Sequence, residues 1–430
     1  GKLRSGGVFV MPYRTKLLGM ALISAGLVTQ TGKGTGVSWI TVICSGLLGA
    51  ILYLFPYLDP VSYLITTCVG AVVFGWAVAS AGRKFSAFNE AVNDRNETFS
   101  QCRKLMKTDD SVNIPMRFQY RYRIFKGWIN VINPFRATMV LGTPGSGKSF
   151  SVYGPFIEQM IAKGYSMFIY DYKFPDLTEI VYNEFIDNVH KYDIIPEFCV
   201  INFNDPTRSL RCNPINPRYI TDPADTTEIA ELVMLNVNKA AVEKEDFFTL
   251  SAKVYLDALI WFLKLYEDGK YCTFPHVIEL MAQDYKKVFS ILSRYPELEA
   301  KIKPFSNALE GGAQDQLQGQ IASAQIPLNK FVSPSLYWVL TGDDFTLDIN
   351  DPKHPKILCV GNDPDRQAIY STTLALFTSR MFKLINHKKK LPSAVLLDEL
   401  PTIFIKGLDN LIATARSHLV AIVFGAQDKS

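Results

Sequence analysis

Two short stretches of this sequence carry residue types that can handle a phosphate group. The first, Gly142-Thr143-Pro144-Gly145-Ser146-Gly147-Lys148-Ser149, fits G-x-x-x-x-G-K-[ST] without a gap. Gly145 and Gly147 have no Cβ, so the backbone can curl until successive N–H groups point inward at phosphate oxygens. Lys148 can reach β- and γ-phosphates, and the Ser149 hydroxyl can ligate Mg²⁺. The chemistry expected of Gly142–Ser149 is therefore the binding of Mg²⁺ and ATP. The second stretch, Ala394-Val395-Leu396-Leu397-Asp398-Glu399, is an apolar run that ends in adjacent carboxylates. Asp398 would hold Mg²⁺, directly or through water, and Glu399 would orient or activate an attacking water. Alone, such a strand end reads better as two solvated acids. Downstream of a phosphate loop it points to ATP hydrolysis.

Two later residues complete the candidate site, each with a plainer alternative. Arg416 lies on a predicted helix after the acids. It could act as an arginine finger across a subunit boundary, although unaided sequence favours a surface arginine on an amphipathic helix. Gln427 follows an apolar strand and could sense the γ-phosphate, or simply cap that strand's turn.

These residues need a scaffold that brings distant strand ends together. Ala137–Leu141 reads as the strand before the loop and Ser149–Met160 as the helix after it, whose positive N-terminal end favours phosphate. Ser166–Tyr170, Phe198–Phe203, Lys356–Val360, Ala394–Leu397 and Val420–Phe424 read as further buried strands. Strands alternating with helices imply a parallel α/β sheet, which binds ligands at the carboxyl ends of its strands. Met116–Arg123 and Gly127–Ile132 suggest a hairpin leading into the loop.

Ala224–Phe331 breaks the pattern with helical periodicity. Asp222 and Pro223 form a helix start, and Asp246–Tyr266 carries an apolar face wide enough for a buried core helix. Phe274–Met281, Lys286–Tyr295 and Ala313–Ile326 read as further helices. Leu309-Glu310-Gly311-Gly312 is a helix break, and His387-Lys388-Lys389-Lys390 a solvated turn before a strand.

Composition limits the alternatives. A formal charge of +4 over 430 residues neither demands nor excludes a nucleic-acid partner. The seven cysteines form no C-x-x-C pair and read as thiols in a reducing compartment.

Near the N-terminus, Val37–Phe55 and Val61–Ala81 carry no charge, and each is close to the ~20 residues that a spanning helix needs. A further apolar segment at 17–29 is short. Lys2, Arg4, Arg14 and Lys16 precede it, and Arg83 and Lys84 follow the last span. The positive-inside rule then sets both flanks in the cytoplasm, with two spans between them. The expected organisation is a membrane anchor over 1–84, a linker helix over 85–115, and a nucleotide-binding domain in two parts. Those parts, 116–223 and 341–430, enclose an all-α insert over 224–340.

Together these marks resemble the type IV coupling proteins of the TraG/TraD type, the membrane-anchored ATPases of bacterial conjugation and type IV secretion. The resemblance rests on the double-span anchor, GTPGSGKS, Asp171 and Lys173 in YDYK, and the CNPI turn. Above all it rests on Asp398–Ser430, where DELPTI, Ala415-Arg416, an apolar strand and Ala426-Gln427 follow in the family's order. Members of that family continue through more sheet beyond this point. The resemblance implies a RecA-like P-loop NTPase domain with an inserted all-α domain and N-terminal transmembrane helices. It implies a homo-hexameric ring with sites shared between neighbours, Arg416 acting as a finger in trans and Gln427 as a sensor. Implied partners are a relaxase–DNA complex or secreted effector proteins, single- or double-stranded DNA, type IV secretion channel components and membrane lipid. The implied location is the bacterial inner membrane, multi-pass, with the ATPase in the cytoplasm. An FtsK-like double-stranded DNA translocase and a non-hydrolysing docking platform are the competing readings. The large helical insert speaks against the first, and intact Lys148, Asp398 and Glu399 against the second.

Overall fold

The computed structural model describes residues 38–55, 59–92, 100–120, 123–237 and 246–427. The apolar segment expected at 17–29 and the basic residues before it lie outside this range. The chain forms two compact units, one of residues 1–105 and 115–129, the other of 106–114 and 130–430.

Among the described residues, the first unit contains a pair of packed helices. Helix α1, Trp39–Leu54, starts where the Ser38 hydroxyl accepts from the Ile40 N–H. It ends at Leu54, one residue before Phe55, whose φ −58° and ψ 124° lie outside the helical region that the proline following it disfavours. Helix α2 runs Pro60–Val92. The two pack through glycines. A Cβ on Gly49 would lie 2.4 Å from the Phe74 nitrogen, and one on Gly70 would lie 2.3 Å from that of Tyr53. Only small residues allow such close backbones. Ile40, Leu47, Ile51, Leu64 and Val72 stay exposed on the outside.

The first unit corrects two expectations. Of the spans expected at 37–55 and 61–81, only the second becomes a helix long and apolar enough to cross a membrane, Pro60–Lys84. The 16 residues of α1 fall short, because capping at Ser38 and the proline after Phe55 close the helix at both ends. At ~1.5 Å per residue they reach about 24 Å. A multi-pass anchor is thus not supported. Of the linker expected as a helix over 85–115, the described residues are helical through Val92 and carry no helix from 100 onward. From 100 to 111 the backbone bonds elsewhere. Thr108 and Ser111 exchange side-chain and backbone hydrogen bonds at 2.8 and 3.1 Å, and the Cys102 carbonyl accepts from Trp128. Such local bonds compete with a helix.

Strands β1, Val112–Tyr120, and β2, Arg123–Val131, pair as a separate ribbon. Asn113, at the entry to β1, belongs to the second unit, and within that unit the Gln159 amide bonds both its N and its O, at 2.9 and 3.1 Å.

The main unit is built on a parallel sheet of β3 (Thr138–Leu141), β4 (Ser166–Asp171), β5 (Glu197–Ile201), β6 (Lys356–Gly361), β7 (Ser393–Leu397) and β8 (Val420–Ala426). Among the described residues its order is β3-β8-β7-β4-β6-β5. Alternation along each strand feeds two cores. Met167, Ile169, Ala394 and Leu396 pack under α3 (Gly154–Ile161) and α4 (Asp176–Asn188). Phe168, Tyr170, Val395 and Leu397 face the other way, into a larger core.

That larger core is shared with the helical region between β5 and β6. It comprises α5 (Pro223–Val237), α6 (Phe247–Leu265), α7 (Phe274–Met281), α8 (Tyr285–Leu292), α9 (Glu299–Glu310), α10 (Gln314–Leu328) and α11 (Pro334–Thr341). Helix α12, Gln367–Ile385, packs on α5 and lies almost wholly buried. Asp222 accepts from the Ala224 N–H at 2.8 Å, the expected helix start. The expected break at Gly311-Gly312 separates α9 from α10. The lysine run precedes β7, with Lys390 paired to Asp351 at 3.2 Å.

Candidate functional site

The site grows from the carboxyl ends of β3, β4, β7 and β8. Between β3 and the following helix, Gly145 and Gly147 take φ of 75° and 80°, the left-handed region that glycine enters without strain. Thr143, Pro144, Gly145, Ser146 and Gly147 are exposed, while Gly142, Lys148 and Ser149 are half-buried. Gly142 packs closely against the loop's own side chains: a Cβ there would lie 2.5 Å from the Ser146 Oγ and 3.3 Å from the Lys148 Cγ.

The helix after the loop opens as a π-wound turn, Ser149–Tyr153, before α3. The Gly154 N–H reaches back five residues to the Ser149 carbonyl. Pro155 explains the wide turn. It has no N–H to give the Ser151 carbonyl, and a tighter turn would press its ring against that oxygen.

Lys148 lies across the mouth of the loop. Its Nζ donates to the Gly142 carbonyl at 2.6 Å and the Ala426 carbonyl at 3.4 Å. The Gly142 N–H also donates to Ala426, at 3.3 Å, so loop and β8 exit are joined.

Asp398 leaves β7 beside Asp171, which ends β4. The register pairs Tyr170 with Leu397, and the Asp398 N–H donates to the Tyr170 carbonyl at 3.1 Å. Burial, with the negative charges of Asp171 and Glu399 adding to it, pushes Asp398 up to about 6, against the pull of Lys148 and Lys173. Burial also pushes Asp171 up to about 6, although Thr178 and Leu177 donate to it. Those donors, at 2.8–3.1 Å, all meet Oδ2 and fasten α4 to the strand end; among the described residues the buried Oδ1 has no hydrogen-bond partner.

Glu399 is buried and takes φ 61°, ψ 60°. A non-glycine residue rarely holds that conformation, and such strain clusters at functional sites. Its neighbours enforce it. The Thr402 N–H and hydroxyl both donate to the Glu399 carbonyl, at 3.1 and 2.6 Å. The Tyr170 hydroxyl meets Thr402 Oγ1 at 2.6 Å, and Asn362 donates to Tyr170 at 2.7 Å. The Gln427 N–H donates to Glu399 Oε1 at 3.3 Å.

Lys148, Asp398, Glu399 and Gln427 thus meet at one end of the sheet. Arg416 does not join them. It is exposed in the 3₁₀ turn Ala415–His418, which enters β8 at the opposite end.

Tyr153 is the participant that sequence reading missed. It is fully buried and its hydroxyl donates to the Leu397 carbonyl at 2.8 Å. Burial, then the charges of Asp398 and Glu399, push the phenol up, so it remains a donor. Nothing local in the sequence marks it, because its partner lies on a strand far along the chain.

No curated protein matches this sequence. Solved structures do match in fold. The bacterial conjugative coupling protein TrwBdeltaN70, in its unbound monoclinic form, is 17% identical with a TM-score of 0.52, over 69% of this chain and 63% of that one. The plasmid coupling protein TrwB in complex with ADP and Mg²⁺ gives 16% and 0.52, over 69% and 64%. The same values hold for TrwB with the non-hydrolysable ATP analogue ADPNP. The chain spans 63–64% of the length of these structures. The likeness shows a RecA-like α/β fold. The family model for conjugative DNA transfer by the type IV secretory system matches residues 91–430. By that match the chain belongs to the type IV secretory conjugative DNA transfer family.

Proposed function

We propose that this protein is a membrane-anchored ATPase motor that delivers cargo to a type IV secretion channel. The cargo is a relaxase–DNA complex or a protein substrate. The carrying observation is the convergence of Lys148, Asp398, Glu399 and Gln427 around one loop. Family membership and the TrwB complexes with ADP, Mg²⁺ and ADPNP support the same reading.

In this reading Gly142–Ser149 bind the phosphates of ATP through backbone N–H groups, and Lys148 leaves its carbonyl partners for the β- and γ-phosphates. The Ser149 hydroxyl and the Asp398 carboxylate fit a hard cation that keeps waters and phosphate oxygens as its other ligands. Among the described residues no group of three His, Cys, Asp or Glu side chains could hold a metal. Mg²⁺ bound there would supply positive charge against the γ-phosphate. Glu399, locked in its strained conformation, orients the attacking water. Gln427 reads the γ-phosphate from the strand beside it. Arg416 of a neighbouring copy stabilises the charge that develops on the transferred group.

The assembly is a homo-hexameric ring on the cytoplasmic face of the bacterial inner membrane, anchored through Pro60–Lys84 with α1 packed beside it. Residues 116–223 and 341–430 form the motor, and 224–340 the insert that handles cargo. The test is ATP turnover of the detergent-solubilised protein, with and without Mg²⁺ and single-stranded DNA. Turnover that needs Mg²⁺, rises with DNA and disappears in Lys148→Ala is expected. Nucleotide binding without any turnover would replace the motor with a docking platform.

A further inference from the structure

We propose that Tyr153 is a positioning residue for the acid pair, a strut from the phosphate-loop helix to the peptide that presents Asp398 and Glu399. The inference rests on reading the loop and acids as an ATP hydrolase. The Leu397–Asp398 peptide is held from both sides. Its N–H donates to the Tyr170 carbonyl at 3.1 Å, and its C=O accepts from the Tyr153 hydroxyl at 2.8 Å. One bond comes from the neighbouring strand, the other from the helix of the loop. Glu399 follows directly in its left-handed conformation, so the tilt of this peptide sets where its carboxylate points.

Volume does not explain the tyrosine. Phenylalanine would fill the same buried space and leave the Leu397 carbonyl without this donor. The adjacent strand is shaped around the hydroxyl: a Cβ on Gly425 would lie 2.5 Å from Tyr153 Oη and 3.4 Å from Cζ. Tyr153 also ends the π-wound turn that Ser149 begins. A shift of that turn when phosphate binds moves both residues, and π-turns recur at functional sites. The strut thereby ties the presentation of Asp398 and Glu399 to the state of the loop.

The test is steady-state ATP turnover and nucleotide binding of the full chain as wild type, Lys148→Ala, Tyr153→Phe, Gly425→Ala and the Tyr153→Phe/Gly425→Ala double variant. Tyr153→Phe should lower kcat about tenfold, the scale of one lost hydrogen bond, with KM and thermal midpoint nearly unchanged. Gly425→Ala should lower kcat similarly by displacing the hydroxyl. The double variant should be no worse than Tyr153→Phe, because the clash leaves with the oxygen. Tyr153→Phe turnover within twofold of wild type, while Lys148→Ala is inactive, overturns the strut and leaves the hydrolase reading intact. A loss of kcat matched by a loss of nucleotide binding also overturns it, as a merely structural role. Absence of wild-type turnover overturns the hydrolase reading and the strut with it.

Discussion

Arg416 and Gln427 stand at opposite ends of one strand. Arg416 lies in the turn entering β8, and Gln427 directly follows its last residue, Ala426. The seven strand residues between them span about 23 Å at ~3.3 Å each. Gln427 touches Glu399, whereas Arg416 points into solvent on the far edge. Arg416 is therefore too distant to serve the phosphate loop of its own chain. Arg416→Ala should keep nucleotide affinity and lose roughly 10³-fold or more in turnover, the range known for arginine fingers. Equilibrium nucleotide binding beside steady-state turnover checks both halves.

The strained backbone at Glu399 predicts an inverted stability order. Alanine in place of a residue normally stabilises relative to glycine, but at φ 61° alanine costs ~1 kcal/mol more. Glu399→Gly should therefore unfold at higher denaturant than Glu399→Ala, while both lose turnover. Chemical denaturation of the two variants decides it.

The glycines between α1 and α2 make a geometric prediction. A Cβ on Gly46 would lie 3.6 Å from the Ala77 Cβ, within the range that a disulfide bridges. With Cys44 and Cys68 replaced by serine, Gly46→Cys/Ala77→Cys should cross-link in membranes on mild oxidation. Adding Gly49→Leu, which drives a side chain into the Phe74 backbone, should abolish the cross-link. Gel mobility under non-reducing conditions reads the outcome.

Asp171 gives a pH dependence whose sign follows from burial. Its folded-state pKa is raised to about 6 from an ordinary value near 3.8. The folded state thus holds this proton more tightly than the unfolded chain. The contribution to stability is full below pH ~4 and lost as pH rises through ~6. Asp171→Asn should raise stability by about 2–3 kcal/mol at pH 8 and change little at pH 4. Its side-chain oxygen can still accept from Leu177 and Thr178. Denaturant midpoints at the two pH values measure the difference.

Much of this fold was legible because parallel strands are buried on both faces and read as unbroken apolar runs. Ser166–Tyr170, Lys356–Val360 and Ala394–Leu397 each became a strand within a residue of the expected bounds. The phosphate loop was legible because glycine spacing is a local signal. Three features were not legible, for physical reasons. The Tyr153 strut depends on a strand carbonyl 244 residues away in sequence. The left-handed Glu399 is imposed by Thr402 and Tyr170, not by its own preference. The non-helical course of residues 100–111 rests on side-chain bonds at Thr108 and Ser111 that helical periodicity does not reveal.

The most direct test of a motor whose sites are completed between copies is turnover in a mixture of Lys148→Ala and Arg416→Ala proteins. One carries an intact Arg416 and a broken loop, the other an intact loop without its arginine. The account predicts ATP turnover in the mixture well above the sum of the two proteins measured alone, rising with concentration as mixed assemblies form. Turnover equal to that sum, or Arg416→Ala as active as wild type, would contradict it.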